Sequence, residues 1–289
     1  MSKTFVLFRL RLILTTKTAP MFDVNRGLIL DKILSAKPGV EVRKDHYWAI
    51  GNIIRITPHT IAFKFGRKIS REDPIYDESS RDFIMGDVEN AECVDAIYNQ
   101  DLQLLAIQTS SGLPQPWTLA NYIAKIINDS WINFSQHLTA EESAVMQFLQ
   151  AEYKTIRDPR DFLHFIREAY KVKRLTVHFS KSNAWSPAED FRKPLETHSD
   201  KLKADSGTAI FAARNDLDRE AVEATAVDAS VAGHNVSARI QEEEETSLRT
   251  VKMGPKTDPF IVEIEDEDTI YDAHQKVSAA VKPLFKKED

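Results

Sequence analysis

Cysteine is nearly absent from this chain: Cys93 is the single one among 289 residues. That excludes an intramolecular disulfide and a zinc site built on several thiolates, and both exclusions favour a reducing compartment. Cys93 lies between acids in Asn90-Ala91-Glu92-Cys93-Val94-Asp95, a setting that fits a structural role better than a nucleophilic one. Glycine is scarce too. The nine glycines are scattered and form neither Gly-x-Gly-x-x-Gly nor a Walker loop, so no phosphate-cradling loop is expected. The histidines are isolated, and no His-Glu-x-x-His occurs. His164, beside Phe165, and His178, inside Leu175-Thr176-Val177-His178-Phe179, read as packed side chains rather than ligands. No catalytic residue, cofactor or metal ligand emerges from these patterns, and an enzyme is not the favoured reading.

Long hydrophobic runs are missing as well. The most apolar stretch, Thr4 to Leu14 (TFVLFRLRLIL), is interrupted by Arg9 and Arg11 and is not followed by an Ala-x-Ala cleavage site. It is also too short to span a bilayer as a helix. The expectation is a cytoplasmic protein without a membrane partner.

What is present is core material. Apolar residues make up 42% of the chain, enough to argue against disorder. The Thr4–Leu14 stretch has period two: Phe8, Leu10, Leu12 and Leu14 on one face, Leu7, Arg9, Arg11 and Ile13 on the other. It predicts a strand. A helix is expected within Val24–Leu34, capped at Asp23, and a hairpin from Tyr47–Thr57 and Thr60–Phe65. Ile69 to Met85, polar and broken by Pro74, reads as a loop. Strands follow at Val94–Tyr98 and Leu102–Thr109, then helices from Trp117, from the Thr139-x-x-Glu142 capping box, and from Asp158-Pro159. Lys173–Ser180 is a strand, followed by helices at Ala188–Lys203 and Leu217–Ser230. Strands at Asn235–Gln241, Leu248–Met253 and Phe260–Ile264 precede a final helix capped by Thr269. The fold class is α+β: a mainly antiparallel N-terminal sheet with helices over 1–156, then a smaller α+β domain over 157–289 that ends in a helix.

Charge is unevenly distributed. The net charge is −6, yet the first seventy residues carry roughly thirteen Lys/Arg against four Asp/Glu. From Arg71 to Asp101 the balance reverses, at roughly two against ten. Lys154 to Lys203 is basic by about five, and the tail from Ala204 on is acidic by about nine. Strand alternation gives the N-terminal block a geometry. Arg9, Arg11, Arg55 and Lys64 lie opposite apolar faces and together define one open sheet face, which Arg67 and Lys68 extend. Such a face tracks phosphates with a steep salt dependence. Two other readings stand beside it: an ordinary solvated face, and neutralisation by the acidic 71–101 segment. Trp48, Trp117, Trp131 and Trp185 are either base-stacking platforms or packing residues. Glu152-Tyr153-Lys154 has the E-x-K form of some metal nucleases, but Met146, Leu149 and Tyr153 at helical spacing place it at a helix end.

The order of TFVLFRLRLIL, LLAIQTSSGLPQP, RLTVHFSKSNAW and NVSARIQ resembles a loosely defined group of bacterial and prophage phage-defence proteins of the RexA-like, phage-exclusion type. That resemblance implies a DNA-associated α+β protein, dimeric, acting against phage. The expected function is therefore non-specific nucleic-acid binding through the basic sheet face in antiviral defence. The alternatives are a protein-interaction or phage-sensing subunit with a partner defence protein, and a cryptic metal-dependent nuclease.

Overall fold

The computed structural model describes residues 2–15, 24–43, 46–77, 79, 81–180, 204, 206–244, 246–254 and 256–285. In chain order the first half comprises β1 (Ser2–Leu14), α1 (Arg26–Ser35), β2 (Gly39–Arg43), β3 (His46–Thr57), β4 (Thr60–Asp77), β5 (Asp82–Asn99), β6 (Leu104–Gln108), α2 (Pro116–Ser130), a 3-10 turn (Trp131–His137), α3 (Ala140–Met146) and β7 (Leu149–Thr155). The second half comprises α4 (Arg160–Glu168), β8 (Lys171–Ser180), β9 (Ser206–Ala212), α5 (Arg219–Ala232), β10 (Asn235–Gln241), β11 (Arg249–Met253), β12 (Ile261–Glu265) and α6 (Ile270–Phe285). The class is α+β, as the sequence predicts.

Eight strands form the larger sheet, in the order β12-β1-β6-β5-β4-β3-β2, with β7 also paired to β1. All its pairings are antiparallel. The smaller sheet is antiparallel in the order β11-β10-β8-β9. On one face of the larger sheet, Phe8, Leu10 and Leu12 of β1 join Ile29, Ile33, Leu119 and Ile123 from α1 and α2 in one core. On the opposite face, Phe5 and Leu7 join Val231 of α5 and Val277, Val281 and Leu284 of α6 in another. A third core lies between the smaller sheet and α4 and α5, through Phe162, Ile166, Val222, Val177 and Val236.

The C-terminal segment does not stay with the smaller sheet. Strand β12 lies beside β1, with Ser2 opposite Glu265 and Val6 opposite Ile261. The region expected as a separate unit over 157–289 therefore completes the first sheet and covers its second face.

Local signals explain most boundaries. The Thr139 hydroxyl accepts from Glu142 N, and Glu142 returns a carboxylate to Thr139 N, which closes the capping box of α3. Helix α1 is capped by Asn25, whose Oδ1 accepts from Leu28 N; Asp23, the expected cap, lies outside the described residues. Helix α5 ends at Gly233 with φ of 72°; a Cβ there would sit 2.8 Å from that of Lys154 on β7, so both the left-handed turn and the close approach require glycine. Thr269 and Asp272 cap α6 reciprocally.

Two expectations fail. Residues 69–85 are not a loop: β4 and β5 pair in register from Thr60↔Asn99 to Asp77↔Asp82 as a long arm. Pro74 is tolerated because β3 leaves β4 at Arg67, so β4 has a free edge there. The Glu152-Tyr153-Lys154 triplet lies on strand β7, not at a helix end. Strand β9 was not anticipated, and the helix expected at Ala188–Lys203 lies outside the described residues.

Candidate nucleic-acid interface

The six N-terminal cations do not form one open face. Arg9 and Arg11 are buried, at 0% and 1% exposure. The reason is the position of β1, which has β6 on one edge, β12 and β7 on the other, and packed cores on both faces. Arg9 Nη1 donates to the carbonyl of Leu102. A guanidinium held inside the fold does not reach a phosphate backbone, so both residues leave the candidate site.

The exposed members of the set are largely neutralised. Arg55 donates both terminal nitrogens to the Asp31 carboxylate of α1, at 2.9 and 2.8 Å. Lys64 Nζ lies 2.7 Å from Asp95 Oδ1, and this hydrogen bond outweighs partial desolvation and raises the lysine pKa. Arg67 reaches Glu92 at 2.8 Å and lies over the Trp48 ring. Lys64↔Asp95 and Arg67↔Glu92 are directly opposite across β4 and β5. The acidic block thus answers the basic one strand against strand. Lys68 is exposed and faces Ala91 across the same ladder.

The aromatic candidates divide in the same way. Trp48 is buried against Phe65 and Tyr122, with ring centroids 5.2 Å apart in each case. Trp131 packs on the first core, Trp117 is half exposed at the start of α2, and Trp185 lies outside the described residues. On β7, Glu152 and Lys154 lie 3.9 Å apart. Among the described residues no group of three or more His, Cys, Asp or Glu is placed to hold a metal ion. No described helix is long and apolar enough to cross a membrane.

A different sheet face has the properties sought. In the smaller sheet, Val172, Leu175, Val177, Val236, Ala238, Ile240, Val251 and Met253 point into the core beneath α4 and α5. Strand alternation sends their neighbours to the opposite side. The register then sets out rows across that side. Ala212, Arg174, Arg239 and Thr250 form one row; Ile210, Thr176, Ser237 and Lys252 the next; Thr208, His178 and Asn235 the last. A bulge between Arg239 and Ile240 brings Lys171 opposite Gln241 at the far margin. Arg174, Arg239, Lys252, His178, Asn235 and Ile210 are exposed. Among the described residues none of these rows contains a carboxylate.

Arg174 and Arg239 are direct cross-strand partners. Like charges in that arrangement repel and destabilise the ladder. Elsewhere in the protein comparable cations meet acids, as Lys64 and Arg67 do. Sequence reasoning named KRLTVHFS and NVSARIQ as strands, and their alternation held the signal: Arg174, Thr176 and His178 on one face, Asn235, Ser237 and Arg239 on the other strand's matching face.

No protein-family model matches the chain, and no curated protein is significantly similar to it.

Proposed function

We propose that the protein binds nucleic acid non-specifically through the open face of its smaller sheet. The observation that carries this reading is the Arg174–Arg239 pair, set directly across two strands beside Lys252 on a face whose rows, among the described residues, hold no carboxylate. A polyanion laid across the face supplies the counter-charge that its described rows do not. With no Phe, Tyr or Trp in these rows, base stacking contributes little, and contacts fall on the phosphate backbone. The resemblance to phage-exclusion proteins gives this surface a setting in antiviral defence.

Binding of labelled duplex and single-stranded DNA and RNA, titrated across salt, tests the reading. Three phosphate contacts give a log–log salt slope of about −2 to −3. Changing Arg174, Arg239 and Lys252 each to Gln should flatten that slope by about one per residue. Arg55→Gln and Lys64→Gln, which alter ion-paired residues, should leave affinity within about twofold. Absence of binding at low salt, or a triple variant that binds as well as the wild type, refutes the proposal.

A second reading gives the β4–β5 arm a protein-contact role, for a second copy or a partner subunit. The arm exposes Ile75, Tyr76 and Met85 near its tip, at 40%, 55% and 62%. Sedimentation of the full chain against a Tyr76→Ser/Met85→Ser variant tests the homodimer. A dimer that dissociates in the variant supports it, and a monomeric wild type removes it.

A further inference from the structure

The basic face ends in a hollow. A cleft of 410 Å³ is lined by His178, His234, Ser206, Thr208 and Asn235 together with two glycines. The fold brings these groups together from three strands and a turn. Thr208, His178 and Asn235 are the last cross-strand row of the sheet, and His234 follows the left-handed Gly233 that ends α5. His178 Nδ1 lies 3.0 Å from Thr208 Oγ1, which fixes the ring and leaves its Nε2 as the second hydrogen-bonding position. His234 is buried, so its imidazole belongs to the wall.

The lining selects a ligand class. Among the described residues it contains two imidazoles, two hydroxyls and one carboxamide, with no carboxylate and no large apolar side chain. Among the described lining residues a metal cation finds no anionic ligand, and a hydrocarbon finds no apolar wall. An oxyanion finds several donors converging from different elements. The volume falls within the range of small-molecule sites, enough for a single nucleotide. Position adds to chemistry: the cleft adjoins the row containing Lys252, and the Arg174–Arg239 row is the next one along. A strand held by those cations runs into the cleft.

We infer that this cleft receives the terminal phosphate of the nucleic-acid strand that the basic face holds, an inference that rests on the function proposed above. Anisotropy titrations of the full chain compare short oligonucleotides of one sequence carrying a 5′-phosphate, a 3′-phosphate or hydroxyls at both ends. One phosphorylated form should bind about tenfold more tightly than the hydroxyl form, and which one does so identifies the end that enters. His178→Gln and Asn235→Ala, both at exposed positions, should abolish that preference, so that each variant binds phosphorylated and hydroxyl-ended strands with equal affinity. Equal affinity for all three ends in the wild-type protein, or a preference that survives both variants, overturns the inference and leaves the basic face standing. Failure of every oligonucleotide to bind at low salt overturns both readings.

Discussion

A guanidinium with no exposed surface has to be held by the fold around it, because an unsatisfied buried charge costs several kcal/mol. Arg9 and Arg11 are in that position, on a strand whose two faces are both covered. Period-two alternation identified their face correctly, but alternation says only that two faces differ. It does not say whether water or a helix covers the second one. Here α5 and α6, more than two hundred residues away in sequence, supply the cover. Arg9→Ala should therefore act on stability, lowering it by about 3 kcal/mol through lost packing and a stranded carbonyl. Denaturant unfolding measures this, and nucleic-acid affinity below the melting range should not change. Asp228 on α5 offers a test with the opposite sign. Burial raises its pKa from 3.8 to about 6. A carboxyl whose folded pKa is raised contributes its stability below the unfolded pKa and loses it as pH rises through the folded one. The loss here runs from about pH 4 to pH 6. Asp228→Asn should then stabilise the protein at pH 7.5 by about 1 kcal/mol, after discounting for partial exposure, and raise the melting temperature by about 2–3 °C. At pH 3 the two proteins should melt together.

Elements governed by local chemistry were legible in the sequence, and those governed by distant partners were not. The Thr139–Glu142 box is complete within four residues, so it could be read directly. In the fold, Glu142 also receives Lys32 Nζ from α1 at 2.8 and 2.7 Å. Desolvation pushes the Glu142 carboxyl up, but Lys32 and the Thr139 donors outweigh it and hold it below the usual carboxylate range. Thr139→Ala should cost about 1 kcal/mol and raise hydrogen exchange first in α3, since it removes the hydroxyl that accepts from Glu142 N. Uniform loss of protection across the larger sheet would contradict this local assignment. Strand β7 and the β4–β5 arm show the other case. Met146, Leu149 and Tyr153 have helical spacing, yet Met146 ends α3 and the other two sit on β7, where pairing with β1 outweighs a weak periodicity. The arm is too polar and acidic to look like a strand, and Ile75, Tyr76 and Met85 near its tip bury little. Its ladder is set by register extending from the core part of the hairpin, where Ile61, Phe63 and Phe65 alternate inward. The charged rows of the smaller sheet fall between these cases. Their alternation is local and visible, but that the face stays open depends on which side α4 and α5 occupy.

At the scale of the whole molecule, the decisive feature is that the chain returns to its beginning. A division at 156/157 looks natural in sequence, yet Phe5, Leu7, Ala62, Ile97, Leu104 and Ala106 from the first part share a core with Val231, Val262, Ile264, Val277 and Val281 from the second. Backbone contacts reinforce the join: Ile156 N donates to Leu7 O, Phe260 N to Ile156 O, and Arg157 bridges to Pro259. A fragment covering 1–156 would expose that whole face and lose β12 from the edge of β1. At roughly 1.5–3 kcal/mol for each large apolar side chain, the exposed surface amounts to on the order of 10 kcal/mol, comparable to the entire stability of a typical domain. The fragment should accordingly show strand content by far-ultraviolet circular dichroism but no cooperative melt, and it should bind a hydrophobic dye. The full chain should unfold in one transition seen alike by tryptophan fluorescence, to which the buried Trp48 of the larger sheet contributes, and by exchange of the β8 and β10 amides. A sharp, dye-free melt of the 1–156 fragment would mean that the second face of the larger sheet is stable without its C-terminal cover. In that event Arg9 and Arg11 would become exposed in the fragment, and the fragment rather than the full chain would display the basic N-terminal face that the sequence predicts.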